Sequence, residues 1–370
     1  MSDYKVFKKV LVIYTGGTIG MKPNDQGALD TVENALGVFL RTEPSLHVAS
    51  LQVPAEENLF ALPPVKGESG RVLYKLMEYD PLLDSSNMAG SDWKRIAEDI
   101  ERMYDLFDGF VVLHGTDTLA YTASALSFML DNLAKPVVVT GSQIPIYETR
   151  TDGRINLVSS LIIAGCYNIP EVCVVFANKL LRGNRTVKVN CNTLEAFDSP
   201  NAPLLGTFNN VININSSLIR PRPSGKLLTV GGVLEMNVAT LKITPDMSLD
   251  LIESALAEPI KGVVLESYGS GNIPSNRKEI IDLLRNAVDR GVIIVNCTQC
   301  LSGSVASIYD AGAVLDDVGV LSGSDMTSVA AYTKLAYVLA FDVSNHHKKE
   351  LMKYNLRGEI TMADMNVNVL

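Results

Sequence analysis

Two threonines in this sequence stand where a hydroxyl could attack a carbonyl carbon or relay a proton. Thr18 lies in Tyr14-Thr-Gly-Gly-Thr-Ile-Gly20, just after an apolar run, and the two glycines before it let the backbone pass close to a ligand. A hydroxyl in this setting is a candidate nucleophile, and neighbouring backbone N–H groups are candidate oxyanion donors. The structural alternative is a tight turn in which Thr18 caps a helix.

The second threonine, Thr116, lies in His114-Gly-Thr-Asp-Thr118, again after an apolar run, with the carboxylate of Asp117 beside it. A helix start with an Asp or Thr cap is the alternative here. Farther along, Lys188 ends the donor-rich segment Leu181-Arg-Gly-Asn-Arg-Thr-Val-Lys188. It is either a solvated surface charge or, if it folds next to Thr116, a base that desolvation makes easier to deprotonate.

A carboxylate and a hydroxyl also lie side by side in Leu82-Leu-Asp-Ser-Ser-Asn87. The carboxylate of Asp84 suits an α-ammonium group, and the hydroxyl of Ser85 suits an α-carboxylate. The same Asp-Ser-Ser sequence is also ordinary turn chemistry. The segment therefore indicates either a site for the head of an amino acid or a polar turn.

Several common catalytic arrangements are absent from the sequence. It has no G-x-S-x-G nucleophile elbow and no H-E-x-x-H segment, and its four histidines lack the spacing of metal ligands. The single C-x-x-C, from Cys297 to Cys300, has no second pair, which favours a structural role over zinc binding or redox chemistry. The glycines around Thr18 do not match the dinucleotide-binding G-x-G-x-x-G. A serine triad, a metal centre and a dinucleotide site are therefore unsupported.

Short β-branched runs alternate with amphipathic stretches of helical length, a pattern typical of parallel strands joined by crossover helices. The sequence predicts strands at 10–14, 110–114, 136–140, 172–176, 261–265 and 292–296, and helices at 92–107, 119–133, 276–290 and 328–339. Because each predicted strand is apolar throughout, the sheets should be covered on both faces. Ligands bind beyond the carboxyl ends of such strands, which is where the candidate residues stand.

The length of 370 residues fits two domains, each able to bury a core of its own. The strand and helix pattern weakens between about 209 and 232, where Arg220-Pro-Arg-Pro-Ser-Gly225 interrupts it. We therefore predict an N-terminal α/β domain at 1–215 that carries most catalytic residues, a linker at 216–232, and a C-terminal α/β domain at 233–370.

Charge and hydropathy narrow the range of partners. The formal net charge is -9 and no block of basic residues is present, so we expect no nucleic-acid partner. No apolar run reaches the roughly 18 residues of a membrane span, and the polar start from Met1 to Lys9 lacks a signal-peptide pattern. Five cysteines scattered among apolar residues suit reduced thiols. We expect a cytoplasmic protein without a membrane partner.

Taken together, these segments resemble the bacterial-type L-asparaginase family, in particular its cytoplasmic branch. The segments Tyr14–Thr18 and His114–Thr118 are similar to the two signature segments of that family. Further segments stand in similar order and context: Leu83-Asp-Ser-Ser86, Thr140-Gly-Ser-Gln143, Arg182-Gly-Asn-Arg-Thr186 and Ser324-Asp-Met-Thr327. The resemblance extends over nearly the whole chain.

The resemblance implies an amidohydrolase that converts L-asparagine into L-aspartate and ammonia. It makes Thr18 the nucleophile, which forms an aspartyl ester that water then cleaves. It also implies a second catalytic group and a set of substrate-binding positions: Thr116, Asp117 and Lys188 in the former, Asp84, Ser85, Gly17, Gly115 and Ser142 in the latter. No metal or organic cofactor is implied. The implied fold is a larger N-terminal and a smaller C-terminal α/β domain, assembled as a homodimer or homotetramer in which paired subunits complete each site.

Some positions depart from the pattern of the family. Many bacterial members carry a tyrosine shortly after the first threonine, where this chain has Ala28. The resemblance to vertebrate-type cytosolic members assigns that role to Tyr309 instead. Members activated by asparagine would have an arginine in place of Glu266 and a threonine in place of Val187, whereas Cys300 matches. The sequence therefore leaves open whether asparagine activates this chain.

Two other functions stay open at this point. One is a glutaminase-leaning amidohydrolase, or the amidase subunit of a tRNA-dependent amidotransferase, which shares the signature segments but would be expected to carry an extra N-terminal module. The other is a ligand-binding protein that keeps the fold and has lost catalysis, although Thr18, Thr116, Asp117 and Lys188 are all present. Release of ammonia from asparagine and from glutamine distinguishes among these functions.

Overall fold

The computed structural model describes residues 7–51, 58–68, 70–306 and 310–361, the side chains of 310–313 excepted. The chain divides into two compact α/β units, Met1–Ser199 with Leu204–Gly231, and Pro200–Pro203 with Gly232–Leu370. The predicted fold class, a larger N-terminal α/β domain and a smaller C-terminal one, is confirmed. The residues predicted as a linker, 216–232, lie with the first unit as far as Gly231.

The first unit contains a long sheet, short hairpins and helices that cover the sheet. Its strands are β1 (Phe7–Gly16), β2 (Met21–Pro23), β3 (Leu29–Thr31), β4 (Phe60–Ala61), β5 (Arg71–Leu83), β6 (Gly109–Leu113), β7 (Leu130–Asp131), β8 (Val137–Thr140), β9 (Val172–Phe176), β10 (Lys179–Arg182), β11 (Val187–Lys188), β12 (Phe197–Asp198), β13 (Gly206–Phe208), β14 (Ile212–Ile214) and β15 (Thr229–Val230). Its helices are α1 (Ala35–Thr42), α2 (Gly90–Met103), α3 (Leu119–Met129) and α4 (Gly153–Cys166).

Among the described residues, nine strands of this unit form one sheet in the order β14-β13-β10-β9-β8-β6-β1-β5-β4. The five central strands, β5, β1, β6, β8 and β9, run parallel, and the outer strands are antiparallel. The carboxyl ends of β5, β1, β6 and β8 therefore meet at one edge. Each of these four strands leads directly into a segment that the sequence analysis singled out.

β6, β8 and β9 and the stretch of β1 from Val10 to Tyr14 are buried on both faces, which explains why these residues are almost all apolar. Val10, Val12 and Tyr14 of β1 pack in one cluster with Leu157 and Leu161 of α4. The residues between them on β1 point to the opposite face, and they are also fully buried. Burying each large apolar side chain stabilises the fold by roughly 1.5–3 kcal/mol, so these strands hold the sheet edge in place.

The second unit is a smaller parallel α/β structure. Its described strands are β16 (Val238–Lys242), β17 (Gly262–Ser267), β18 (Ile293–Thr298) and β19 (Leu321–Ser322), and its helices are α5 (Leu249–Leu256), α6 (Lys278–Asp289), α7 (Asp310–Asp317), α8 (Ser328–Leu339) and α9 (Asn345–Lys353). The four strands pair in the order β16-β17-β18-β19, all parallel. A core of its own lies between the sheet and α5 and α6, and α8 packs against β16, β17 and β18.

Most predicted elements are confirmed, with shifted ends. The predicted strands correspond to β1, β6, β8, β9, β17 and β18, and the predicted helices to α2, α3, α6 and α8. The helix predicted at 119–133 ends at Met129, because Leu130 and Asp131 form β7, which pairs with β15. No helix in the described part of the chain is long and apolar enough to cross a membrane.

Candidate active site

The ends of β1 and β6 touch each other through two glycines. The two strands are parallel neighbours, and Tyr14 lies opposite Leu113 in their register. Beyond their ends, a Cβ atom on Gly17 would lie 2.4 Å from both the Cα and the N of Gly115, so only glycine fits there. Gly17 also has a φ of 90°, which side chains other than glycine rarely adopt. The contact places the two residues that follow, Thr18 and Thr116, on adjoining segments of the same edge.

The end of β5 joins this contact from the other side of β1. Gly16 lies opposite Leu83 in the β1–β5 register, and a Cβ on Gly16 would be 2.1 Å from the Leu83 carbonyl oxygen. A Cβ on Gly115 would lie 2.4 Å from the Ser85 hydroxyl oxygen. The Ser85 hydroxyl is therefore packed against the Gly115 backbone, which in turn contacts Gly17. Three of the five predicted substrate-binding positions thus form one contact.

Asp84, Ser85 and Thr118 organise the segment after β5. Asp84 is exposed and caps the 3₁₀ turn Ser85–Asn87, because its Oδ1 accepts from the Ser86 N–H at 3.0 Å. The Thr118 hydroxyl donates to the Ser85 carbonyl oxygen at 2.7 Å and ties this turn to the segment after β6. Sequence reasoning did not assign a role to Thr118, although its place at the end of the His114–Thr118 segment is a signal that could have identified it.

Lys188 contacts both residues with which the sequence analysis grouped it. Its Nζ donates to the Thr116 hydroxyl oxygen at 3.0 Å and to the Asp117 Oδ1 at 2.8 Å. The side chain of Lys188 is 22% exposed, that of Asp117 is 63% exposed, and Thr116 is buried. Lys188 reaches this position from the short hairpin of β11 and β12, in which it pairs with Phe197. An amine, a hydroxyl and a carboxylate in contact can pass a proton and stabilise the charge that remains.

His114 fixes the backbone of the same segment as a neutral ring. Its Nδ1 lies 2.7 Å from the Gly115 carbonyl oxygen, which can only accept, so Nδ1 carries the proton. Its Nε2 then accepts from the Thr122 hydroxyl at 2.8 Å. The ring is completely buried, and burial lowers the pKa of His114 from 6.5 to about 4. His114 therefore stays uncharged at neutral pH and orients the Gly115 peptide.

The remaining predicted site residues are placed differently. Thr18 begins a 3₁₀ turn, Thr18–Gly20, and is partly exposed. Ser142 follows β8 and is fully buried, and its hydroxyl donates to the Ile144 carbonyl oxygen at 2.7 Å within the same turn. The Gly141 next to it would place a Cβ 2.3 Å from the His114 carbonyl oxygen, so this turn adjoins the end of β6. Tyr309 lies outside the described residues.

The described residues contain no group of three or more His, Cys, Asp or Glu side chains arranged to hold a metal ion. The functional groups that do converge on the edge are hydroxyls, one lysine, carboxylates and the backbone of two glycines. Such a set can position an amino acid, attack an acyl carbon with a hydroxyl and transfer protons.

Comparison with known proteins matches both units of the chain. A family model for the N-terminal domain of asparaginase matches residues 9–220, and a model for the glutaminase/asparaginase C-terminal domain matches residues 237–352. Among solved structures, the chain is similar to L-asparaginase I from Vibrio cholerae, with a TM-score of 0.83, 40% sequence identity, and coverage of 96% of this chain and 100% of that one.

Curated relatives have two kinds of name. The chain is 50% identical over 359 residues to an L-asparaginase of Dirofilaria immitis, which covers 96% of this chain and 61% of that protein. It is 44% identical over 365 residues to a 60 kDa lysophospholipase of Mus musculus, covering 97% of this chain and 64% of that protein. It is also 43% identical over 360 residues to L-asparaginase 1 of Escherichia coli strain K12, covering 96% and 99%. The chain thus spans less than two thirds of the length of the first two relatives.

Proposed function

This chain belongs to the asparaginase family, and from that premise we propose that it hydrolyses the side-chain amide of L-asparagine to give L-aspartate and ammonia. The proposal rests on one observation: Lys188 Nζ donates to the Thr116 hydroxyl oxygen at 3.0 Å. Thr116 follows Gly115, and Gly115 contacts Gly17, the residue before Thr18. The Lys188–Thr116 contact supplies a proton-transfer group on the segment that adjoins the hydroxyl proposed to attack.

In the first step the Thr18 hydroxyl attacks the side-chain amide carbon of asparagine. The Thr18 proton leaves to an acceptor, the negative charge that develops on the amide oxygen is stabilised by backbone N–H groups at the glycine contact, and the C–N bond breaks. The acceptor passes the Thr18 proton to the departing nitrogen, which leaves as ammonia. The product is an ester between Thr18 and the side-chain carboxyl group of aspartate.

In the second step water cleaves this ester. The Thr116 hydroxyl takes a proton from the water as it passes its own proton to Lys188 Nζ, and the hydroxide attacks the ester carbon. The Asp117 carboxylate, 2.8 Å from Lys188 Nζ, stabilises the ammonium that forms. The bond between the ester carbon and the Thr18 oxygen breaks, the Thr18 oxygen takes up the proton that Lys188 received, and aspartate leaves. No metal or organic cofactor takes part in either step.

We assign the head of the substrate to the segments around the glycine contact. Asp84 is exposed and can accept a hydrogen bond from the α-ammonium group through Oδ2, since its Oδ1 already caps the neighbouring turn. The Ser85 hydroxyl, packed against Gly115, can donate to the α-carboxylate. Backbone groups of Gly17 and Gly115 and the turn at Ser142 complete the enclosure. Carboxylate and hydroxyl together favour a free amino acid over a peptide.

Three further features belong to the proposal. Tyr309 is the acceptor or relay for the Thr18 proton. The active form is a homodimer or homotetramer, a state that light scattering on the purified protein measures. The protein works in the cytoplasm and has neither a nucleic-acid nor a membrane partner. All five cysteines are free thiols, which is the state expected in a reducing compartment.

A steady-state assay with three substrates tests the proposal. Ammonia release is measured over a range of asparagine and glutamine concentrations, and fatty-acid release is measured from lysophosphatidylcholine, because one relative is named a lysophospholipase. We expect turnover of asparagine with a kcat/KM well above that of glutamine. Hydrolysis of lysophosphatidylcholine alone, or binding of asparagine without release of ammonia, would contradict the proposal.

A further inference from the structure

The side-chain amide of Gln143 joins two segments of the candidate site. Gln143 follows β8, and its Nε2 donates to the carbonyl oxygen of Cys191 at 3.1 Å and to that of Thr193 at 3.2 Å. Both carbonyls lie in the connection between β11 and β12, which begins directly after Lys188. Both N–H donors of the Gln143 amide are thus used in hydrogen bonds to the hairpin that carries Lys188.

Gln143 is itself held by a buried anchor. The Asp152 carboxylate accepts from the backbone N–H groups of Gln143 and Ile144, each at 3.0 Å, and from the Asn156 side-chain amide at 3.2 Å. Asp152 and Asn156 are buried at the start of α4, the helix that packs on the central sheet. The backbone of Gln143 is therefore fixed relative to the strand ends.

The connection on the other side of these hydrogen bonds is compact. The Asn190 Oδ1 accepts from the N–H groups of Asn192 and Thr193, and the Val189 N–H donates to the Ala196 carbonyl oxygen at 2.8 Å. Because the connection is compact, displacing it would also move the adjoining Lys188. The Nζ of Lys188 lies 3.0 Å from the Thr116 hydroxyl oxygen, a distance that proton transfer requires.

We infer that Gln143 is a positioning residue for Lys188, acting through the two hydrogen bonds of its side-chain amide to the β11–β12 connection. The inference rests on the proposed function, in which Lys188 moves a proton through Thr116. Proton transfer depends steeply on the distance between donor and acceptor, and a misplacement of about 1 Å can cost roughly a hundredfold in rate. Substrate binding does not use Lys188, so it should be spared.

Three substitutions of Gln143 separate its hydrogen bonds from its bulk. Gln143→Met keeps the length of the side chain and removes both donors, and we expect a tenfold to hundredfold fall in kcat, roughly, with little change in KM. Gln143→Glu directs a carboxylate at two carbonyl oxygens and should lower kcat at least as much. Gln143→Lys keeps N–H donors at similar reach, so it should retain more activity than Gln143→Met.

Lys135→Met is the matched control. Lys135 precedes β8, whereas Gln143 follows it. Like the Gln143 amide, the Lys135 Nζ donates to two backbone carbonyl oxygens, those of Tyr104 and Phe107. Lys135→Met removes two side-chain hydrogen bonds to backbone carbonyls, as Gln143→Met does, but at the amino end of β8, away from the candidate site. We expect a lower Tm with kcat close to that of the wild type.

The experiment is a double-mutant cycle that measures kcat, KM and Tm for wild type, Gln143→Met, Lys188→Met and the double variant. If Gln143 acts through Lys188, the double variant has the kcat of Lys188→Met alone, because nothing remains to be positioned. Effects on kcat that multiply in the double variant, or a kcat loss in Lys135→Met as large as in Gln143→Met, would overturn the inference. If Lys188→Met itself keeps full turnover, it is the proposed function that fails.

Discussion

Each of the two units contains a lysine in contact with a carboxylate, and the two pairs differ in burial and in the other hydrogen-bond partners of the lysine. In the first unit, Lys188 is partly exposed, and its partners are the exposed Asp117 and the Thr116 hydroxyl. In the second unit, Lys334 and Glu359 are both fully buried, with Nζ 2.7 Å from the carboxylate. One pair stands at the edge of a sheet, and the other lies between helix α8 and the chain that follows α9.

The buried pair is saturated with backbone partners. Lys334 Nζ also donates to the carbonyl oxygens of Met352 and Tyr354, and the two Glu359 oxygens accept from the N–H groups of Leu356 and Arg357. Burial lowers the pKa of Lys334, and its three donors are all occupied. The pair pins the end of the described chain onto α8 and has no donor to offer a substrate.

A lysine–carboxylate pair is therefore not by itself a sign of catalysis. Lys188 differs in its second contact, which is with the Thr116 hydroxyl. That hydroxyl follows Gly115, whose backbone can contact Gly17 only because both residues are glycines. Lys334 should therefore control stability and Lys188 should control turnover.

Lys188→Met should have a very large effect on turnover. Loss of the group that moves the proton should lower kcat about a thousandfold, within the usual range for general acid–base catalysis, with KM and Tm nearly unchanged. Steady-state ammonia release and thermal unfolding measure the two outcomes. A rise in KM at constant kcat would show that Lys188 binds substrate, which would weaken the contrast with Lys334.

Tyr309→Phe should lower kcat roughly a hundredfold while the oligomer stays intact, because it removes the proposed relay for the Thr18 proton and keeps the ring. The residue lies outside the described residues, so this prediction comes from the sequence alone. Turnover and light scattering on the same sample check it. If kcat stays near the wild-type value, Tyr14 and the segment from Lys22 to Asp30 are the next candidates.

Lys334→Met should act on stability alone. It leaves the Glu359 carboxylate buried without its counter-charge, which costs about 3–5 kcal/mol in the free energy of unfolding, with kcat of the folded enzyme retained. Adding Glu359→Gln should recover part of the loss, since the amide carries no charge and its oxygen can still accept from one of the two N–H groups, that of Leu356 or that of Arg357. Denaturant unfolding of the three proteins gives the answer. An unchanged free energy of unfolding in Lys334→Met would refute the structural role.

His114 should make stability fall in acid. Its pKa is about 4 in the folded chain against 6.5 when unfolded, so between these values the unfolded chain alone binds the proton. This contribution to stability is fully present above pH 6.5 and is lost as the pH falls towards 4, by about 2 kcal/mol between pH 7 and pH 5. NMR of the His114 ring is the direct check, and titration near pH 6.5 in the folded protein would contradict it.

The ends of β1 and β6 were predictable because both strands are apolar on both faces and are followed by Gly-Thr sequences, Gly17-Thr18 and Gly115-Thr116. Neighbouring β5, Arg71–Leu83, was not predicted, since Lys75, Glu78 and Asp80 interrupt its apolar pattern. It can tolerate them because its other neighbour in the sheet is only the two-residue β4. The sequence therefore identified Asp84 and Ser85 but not the strand that brings them to Gly115.

Two other features escaped prediction for local reasons. The hairpin between β9 and β10 turns at Ala177 and Asn178, both with positive φ, and alanine is not a residue that signals such a turn. Helix α4 carries serines and glycines among its apolar residues and shows little amphipathic pattern because it is buried on most sides. The hydrogen bonds of Gln143 to Cys191 and Thr193 join segments about 50 residues apart in the chain, and no spacing in the sequence encodes them.

The most direct test of the account is ammonia release from asparagine by Thr18→Val, with Thr15→Val as its control. Each substitution replaces a hydroxyl by a methyl group near the end of β1. Thr15 is buried and its hydroxyl donates to the Leu113 carbonyl oxygen at 2.9 Å, so its loss should cost stability and little turnover. Thr18→Val should lose at least a thousandfold in kcat, roughly, with an unchanged Tm. Ammonia release by Thr18→Val near the wild-type rate would contradict the account, because no acyl ester could then form on Thr18.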